Sequence, residues 1–454
     1  MKIHFIAIGG AAMHNLALAL LKKNYTITGS DDEIFEPSRT RLEKAGLLPD
    51  AYGWFPERIH KQLDAVILGM HAREDNPELI RARELNLKIY SYPEFLYQQT
   101  QYKKRVVIGG SHGKTTVTSM IMHVLKKQGM AFDYMVGAQI EGFETMVSLS
   151  DEATIAVFEG DEYLSSPIDR RPKFHLYYPH IALINGIGWD HINVFPTFEV
   201  YLEQFKIFID KIMPQGILFY FEHDTHLQQL VKNRPRTDIK MIPFSAPASK
   251  IEEGITHLHL ENKKSVALEV FGAHNLQNLA GAREVCLSLG IGEEAFYDSI
   301  GSFKGSAKRL QKIFDDKQNT IFLDFAHSPS KVAGTIEAVK NQYPIAEIVA
   351  VYELHTFSSL NKEFLAEYHG SLDGVTKAAV FFNPQVIEHK KLPPISPQEV
   401  VEAFGNEEIE VITDTKNLKS WLQTNRSKNR QIVLLMSSGN FGGIDSVEFV
   451  SLFN

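Results

Sequence analysis

At 454 residues the chain has room for about three domains, and its composition, 44% hydrophobic and 22% charged, excludes a disordered, collagen-like or coiled-coil protein. Acidic residues outnumber basic ones, 55 to 47, so the formal charge is −8 and no cationic surplus exists to neutralise a phosphate backbone; no nucleic-acid partner is expected. The single cysteine, Cys286, excludes an internal disulfide and a thiolate metal cluster, and a cytoplasmic location fits.

The stretch from His4 to Leu21 carries no formal charge and superficially resembles a signal peptide. His4, His14, Asn15 and the pair Gly9-Gly10 interrupt it, so it reads as a buried strand, a glycine turn and an amphipathic helix. The expectation is a soluble, unprocessed chain with no membrane partner. With the following strand YTITGSD this makes a βαβ unit, which favours a parallel sheet. IAIGGAAM is a degraded dinucleotide fingerprint: Ala7 and Ala12 fill the outer glycine slots and Gly9 the middle one. Asp31, about 20 residues on, is placed to hold a ribose hydroxyl. A βαβ turn for another nucleotide diphosphate fits equally. AVILGM and KIYSY continue the alternation, and QQTQYKK (98–104) reads as a linker.

A second strand, glycine loop and helix begins at Arg105 with RVVIGGSHGKTT, followed by strands ATIAVFEG and HIALING and a helix over AHNLQNLAGAREVCLSLG. A third start, NTIFLDFAHSPSKVAGTIEAVK, opens at Asn319, with later strands EIVAVYE, KAAVFFNP and QIVLLMSS. The reading is α/β, with three tandem domains at 1–104, 105–305 and 306–454.

The strongest chemical signal is GGSHGKTT, Gly109 to Thr116. Such a loop turns backbone N–H groups toward phosphate oxygens at a helix N-terminus, where the dipole favours anions. Lys114 would reach the β/γ-phosphates and the Thr115 hydroxyl would hold Mg²⁺. The loop is one residue shorter than the usual spacing, and the plain alternative is a glycine turn with a surface lysine. VFEGDEY places Glu159, Asp161 and Glu162 at a strand end, where open α/β sheets bind ligands. NGIGWDHINVF repeats the pattern with Asp190-His191. Either motif alone describes a solvated loop as well as a metal site. Asn275 and Asn278, three apart in FGAHNLQN, share a helix face, and amides can read a base edge. Arg309 in KGSAKRL and Asp324 in TIFLDF complete the candidates.

GGSHGKTT, FEGDEY, GWDH, HNLQN, KRL and DFAHSP, in this order over nearly the whole chain, resemble the Mur ligases, which build the stem peptides of peptidoglycan. SDDEIFEPSRTRLEKAGL, DEYLSSPIDRRPKF, WDHINVFP and FGGI look closest to the murein peptide ligase branch, which attaches a recycled tripeptide to UDP-N-acetylmuramate. The resemblance implies a Rossmann-like UDP-binding domain, a P-loop ATPase-like domain and a Rossmann-like C-terminal domain that closes with the incoming amine. The activity it implies is an ATP-dependent amide-bond ligase working through an acyl phosphate.

By the same resemblance Gly110, Ser111, His112, Gly113, Lys114, Thr115 and Thr116 would hold the nucleotide phosphates. Thr115 and Glu159 would bind one Mg²⁺ and His191 a second. Asn275 and Asn278 would sit at the adenine, Arg309 and Asp324 at the phosphate and ribose side. Gly9, Gly10, Asp31 and Asn76 would lie in the UDP region. Lys114, His191 and Arg309 would be catalytic. The sequence departs from the pattern in four places: Ala7 and Ala12, Ser328 where a second histidine is common, His355-Thr356 where an arginine is usual, and Phe205, beside Lys206, in the slot of a carbamylated lysine.

DRRPKF favours a tripeptide, whose extra carboxylates Arg170 and Arg171 would pair with; a solvated basic cluster explains it nearly as well. The alternatives are a ligase adding L-alanine alone, a non-catalytic nucleotide-sugar sensor and, behind both, a dehydrogenase.

Overall fold

The computed structural model describes residues 1–189, 194–233, 236–260, 264–316 and 318–453. They form two compact units, one of residues 1–247 with 274–301, the other of 248–273 with 302–454.

The first unit holds two sheets. β1 (Lys2–Ile6), β2 (Thr26–Ser30), β3 (Ala65–Leu68) and β4 (Ile89–Ser91) form an all-parallel sheet in the order β2-β1-β3-β4. Helices α1 (Ala11–Lys22), α2 (Ser38–Lys44), α3 (Pro77–Glu84) and α4 (Tyr92–Thr100) are interspersed with these strands. Asn76 and Ser91 cap α3 and α4, and a proline follows each cap inside the first turn, where its missing N–H costs no hydrogen bond.

The second sheet has seven strands: β5 (Lys104–Gly109), β6 (Phe132–Met135), β7 (Val147–Ser148), β8 (Ile155–Glu159), β9 (Ile181–Ile184), β10 (Ile217–Phe221) and β11 (Lys240–Phe244). Their order is β11-β10-β9-β5-β8-β6-β7, parallel throughout except for β6 with β7. β5, β8 and β9 are almost wholly buried, which explains their continuous apolar runs. The unit's remaining helices are α5 (Lys114–Lys127), α6 (Phe198–Asp210), α7 (Thr225–Asn233), α8 (Ala273–Ser288) and α9 (Glu293–Ile300).

The expected linker at 98–104 is shorter than the composition suggests. Gln98–Thr100 finish α4 and Lys104 already opens β5. Arg105 closes the junction: its buried guanidinium donates to the carbonyls of Thr100 at 3.0 Å, Gln101 at 2.8 Å and Tyr177 at 2.8 Å. Polar composition alone does not reveal a junction held by one buried arginine.

The second unit contains a three-stranded antiparallel meander, β12 (Ser249–Glu252), β13 (Ile255–His259) and β14 (Ser265–Leu268). Residues 248–273, expected in the central block, thus group with the C-terminal part of the chain. Its main sheet comprises β15 (Gln311–Asp315), β16 (Asn319–Asp324), β17 (Glu347–Glu353), β18 (Lys377–Phe381), β19 (Glu410–Ile412) and β20 (Gln431–Met436). The order is β15-β16-β20-β17-β18-β19, and only the edge strand β15 is antiparallel. α10 (Pro329–Gln342) links β16 to β17.

Candidate active site

The loop between β5 and α5 passes through two left-handed glycines, Gly110 at φ +122° and Gly113 at φ +77°. A Cβ on Gly113 would lie 2.2 Å from Asn278 Oδ1 and 2.3 Å from Asn185 Nδ2, so no side chain fits there. The first-turn N–H groups of α5, from Lys114 to Thr116, have no acceptor within the helix by construction and face the loop mouth with the positive end of the dipole.

Lys114 donates to the Gly110 carbonyl at 2.8 Å and to Glu162 Oε2 at 2.6 Å. Burial works against its charge, but Glu162, Asp161 and Glu159 outweigh it and its pKa is raised. At the next residue, the Thr115 hydroxyl donates to Glu159 Oε1 at 3.0 Å, and the Gly137 N–H donates to Glu159 Oε2 at 2.7 Å. Glu159 ends β8, the strand next to β5, so loop and carboxylate meet at the carboxyl edge of the sheet. Burial raises the pKa of Glu159 against the pull of Gly137 and Lys114. For Asp161 burial is outweighed instead, and Lys173, 2.6 Å away, together with Lys114 holds it down to about 2.

Several of the expected ligand residues have partners within the chain. Ser111 offers neither of its polar groups to a phosphate: its N–H donates to Gly186 at 3.0 Å, and its hydroxyl accepts from Gly188 N–H at 2.9 Å and pairs with the Tyr201 hydroxyl at 2.8 Å. It shapes the loop. His112 contributes a carbonyl that accepts from Asn185 Nδ2 at 3.3 Å. Thr116 is buried on α5. Asn275 and Asn278 are both buried on α8, and Asn278 accepts from Asn185 Nδ2 at 2.7 Å beneath Gly113. Asp190 and His191 lie outside the described residues. Among the described residues no group of three or more His, Cys, Asp or Glu could hold a metal. The Thr115–Glu159 pair nevertheless supplies the hard oxygen donors that Mg²⁺ takes. Phe205 is fully buried in the core, while Lys206 pairs with Glu203 at 2.7 Å.

At the first glycine turn, Asp31 Oδ2 accepts from Gly9 N–H at 2.6 Å, so the two predicted ligand-binding residues meet. Burial pushes the Asp31 carboxyl up to about 6. Ala7 adopts φ +68°, a glycine conformation held by an alanine, which accounts for the degraded fingerprint without loss of the turn. Gly10 caps α1, and its carbonyl lies 3.0 Å from His14 Nδ1, which also meets Ser38 Oγ at 2.9 Å. Asn76 stands apart: its side-chain oxygen accepts from the N–H groups of Glu78 and Leu79 and so belongs to a helix cap.

Arg170 and Arg171 differ. Arg171 is already engaged by Asp169 at 2.6 Å and Glu94 at 3.2 Å. Arg170 is exposed and borders a hollow of 390 Å³ shared with Arg171, His175, Gln204 and Lys211. In the second unit, both Asp324 oxygens are taken up by the chain: Oδ2 accepts from Leu310 N–H at 2.7 Å, and Oδ1 accepts from Ala326 N–H at 2.8 Å and from Thr335 at 3.1 Å. Asp324 therefore braces the turn that carries Arg309, between the left-handed Lys308 and Leu310. The Arg309 guanidinium stacks 4.6 Å over Phe325. His355 Nδ1 lies 3.7 Å from the buried Glu353. Sequence reading missed Asn185 and Tyr201, and passed over Glu162 as one acid among three.

Three family models match the chain: the Mur ligase family, catalytic domain, over residues 2–104; the Mur ligase middle domain over 108–286; and the Mur ligase, glutamate ligase domain, over 308–439. A UDP-N-acetylmuramate–L-alanine ligase of Sulfurihydrogenibium sp. is 30% identical over 80% of this chain and 78% of its own. Among solved structures, the UDP-N-acetylmuramate-alanine ligase of Thermotoga maritima superposes with a TM-score of 0.74 at 19% identity, covering 100% of this chain and 99% of that one. A murein peptide ligase of Psychrobacter arcticus gives 0.67 at 21% identity with the same coverage.

Proposed function

The chain belongs to the Mur ligase family, whose members are ATP-dependent, amide-bond-forming ligases of peptidoglycan synthesis, and from that premise we propose that it joins the carboxylate of UDP-N-acetylmuramate to the amino group of L-alanine. The curated relatives favour L-alanine over the tripeptide that the sequence motifs suggest. The arrangement that carries the reading is Lys114 and the Thr115–Glu159 pair at the adjacent ends of β5 and β8.

In this reading residues 1–104 hold the UDP-sugar, with Gly9, Gly10 and Asp31 at the nucleotide. Residues 105–305 hold ATP on the loop from Gly110 to Thr116, with Asn275 and Asn278 on its adenine side. Residues 306–454 bring the amine, and the family resemblance assigns Arg309 to the phosphates. We place the reaction in the cytoplasm on the strength of the chain's kinship with the L-alanine ligases; no described helix is long and apolar enough to cross a membrane.

The carboxylate oxygen attacks the γ-phosphorus, ADP leaves, and the amine nitrogen then displaces phosphate through a tetrahedral intermediate. Two anions must approach, so the work of this chain is to neutralise and align them. Lys114 and the α5 N–H groups oppose the phosphate charge. Thr115 and Glu159, with His191 as a second ligand set, would hold Mg²⁺, which supplies further neutralisation of the transferring phosphate.

A tripeptide amine is the second reading. The basic hollow of Arg170 and Lys211 is the observation in its favour, because extra carboxylates need cationic partners. Phosphate release in the presence of ATP and UDP-N-acetylmuramate, compared between L-alanine and the tripeptide, separates the two. Release with neither amine contradicts both.

A further inference from the structure

The helix α6 reaches the phosphate loop through one hydroxyl. Tyr201 is fully buried, and its phenol donates to Glu162 Oε1 at 2.9 Å. The other oxygen of Glu162 accepts from Lys114 at 2.6 Å, and Glu162 has no exposed surface. Because the one phenolic proton goes to the carboxylate, Ser111 must donate across the 2.8 Å contact to the phenol oxygen. Ser111 in turn accepts from the N–H of Gly188, in the segment that leads toward His191. A directed chain therefore runs from Gly188 through Ser111 and Tyr201 to Glu162, where it meets the donation from the Lys114 ammonium.

A buried carboxylate beside a phosphate pocket repels the ligand that the pocket is built to take. Its presence is intelligible if it aims the lysine. Held by Glu162 and the Gly110 carbonyl together, the ammonium stays within the loop rather than swinging into solvent. Incoming phosphates must then draw Lys114 partly away from Glu162. The Tyr201 proton moderates that competition by stabilising the carboxylate charge as the lysine turns.

We propose that Glu162 and Tyr201 are positioning residues that aim Lys114 at the transferring phosphate and tie its pose to the Ser111–Gly188 segment. The inference rests on the ligase reading of the loop. It predicts effects of opposite sign on nucleotide affinity. Glu162→Gln removes a negative charge near the phosphates and frees Lys114, so a non-hydrolysable ATP analogue should bind about fivefold tighter while kcat falls at least about tenfold. Tyr201→Phe keeps the ring packing against Phe195 and Phe205 but withdraws the proton from Glu162. The carboxylate then grips Lys114 harder, and the analogue should bind about threefold weaker.

Calorimetry with the ATP analogue on the full-length wild type and both variants, alongside steady-state kinetics, is the test. Opposite shifts in affinity support the proposal. Shifts in the same direction, or a fall in kcat with unchanged affinity, are what a merely structural role produces and overturn it. If Glu162→Gln does not fold, weaker binding by Tyr201→Phe supports the proposal, and unchanged or tighter binding overturns it. A wild-type chain that binds no nucleotide overturns the ligase reading and this inference together, whereas binding by wild type with parallel shifts overturns the inference alone.

Discussion

The ammonium of Lys114 lies 2.6 Å from a carboxylate of Glu162 whose side chain has no solvent exposure. Removing the lysine alone therefore leaves an uncompensated buried charge, which typically costs about 3–5 kcal/mol. Lys114→Ala should be markedly less stable to urea than wild type, and the double substitution with Glu162→Gln should recover at least about half of that loss. Both should lose ligation by roughly 10²–10³-fold, the usual effect of deleting a preorganised charge at a transferring group. A folded Lys114→Ala enzyme with more than about a tenth of wild-type turnover would contradict the assignment.

Gly113 makes a separate prediction. Its left-handed φ of +77° and the 2.2 Å approach of Asn278 Oδ1 leave no room for a methyl group. Gly113→Ala should abolish detectable ATP binding and destabilise the chain by on the order of 1–3 kcal/mol. Calorimetric titration with ATP and urea unfolding check it; normal nucleotide affinity would show that the loop tolerates another path.

The phosphate loop was legible because its signal is local: a strand, glycines at fixed offsets, a lysine and a helix within a dozen or so residues. Its supports were not. Tyr201 lies 90 residues from Ser111, and a tyrosine in an apolar helical pattern carries no mark that its hydroxyl meets a loop. Asn185 likewise reads as the end of a strand until Asn278 arrives 93 residues later. Asn76 carries a second signal: Asn-Pro marks a helix start in its own right, and the side-chain oxygen caps α3. The meander of β12 to β14 was invisible because its strands are short and largely exposed, so no apolar run announces them.

Asp31 gives a pH dependence with a definite sign. Burial raises its native pKa to about 6, above the ordinary aspartate value. From about pH 4 to pH 6 the native chain keeps a proton that the unfolded chain has released, so this contribution to stability is full below that window and falls through it by on the order of 2–3 kcal/mol. Asp31→Asn removes the titration, so the variant should gain stability relative to wild type as pH rises from about 4 to about 7. Urea unfolding at the two ends of that range tests it. A constant difference between the two proteins would contradict the raised pKa.

Arg170 and Arg171 separate the two amine readings. Arg171 is committed to Asp169 and Glu94 on a half-exposed surface, where such pairs contribute at most about 1 kcal/mol. With L-alanine as the amine, replacing either arginine by alanine should change KM by less than about threefold. A rise of about tenfold in tripeptide KM for Arg170→Ala alone, with ATP parameters unchanged, would instead favour the peptide substrate.

The activation of a carboxylate by phosphoryl transfer is tested most directly by isotope. UDP-N-acetylmuramate labelled with ¹⁸O in both carboxylate oxygens, incubated with the enzyme, ATP and L-alanine, should yield phosphate carrying one labelled oxygen and an amide retaining the other, both read by mass spectrometry. Unlabelled phosphate would mean that water or another acceptor takes the γ-phosphoryl group, and would contradict the ligase mechanism.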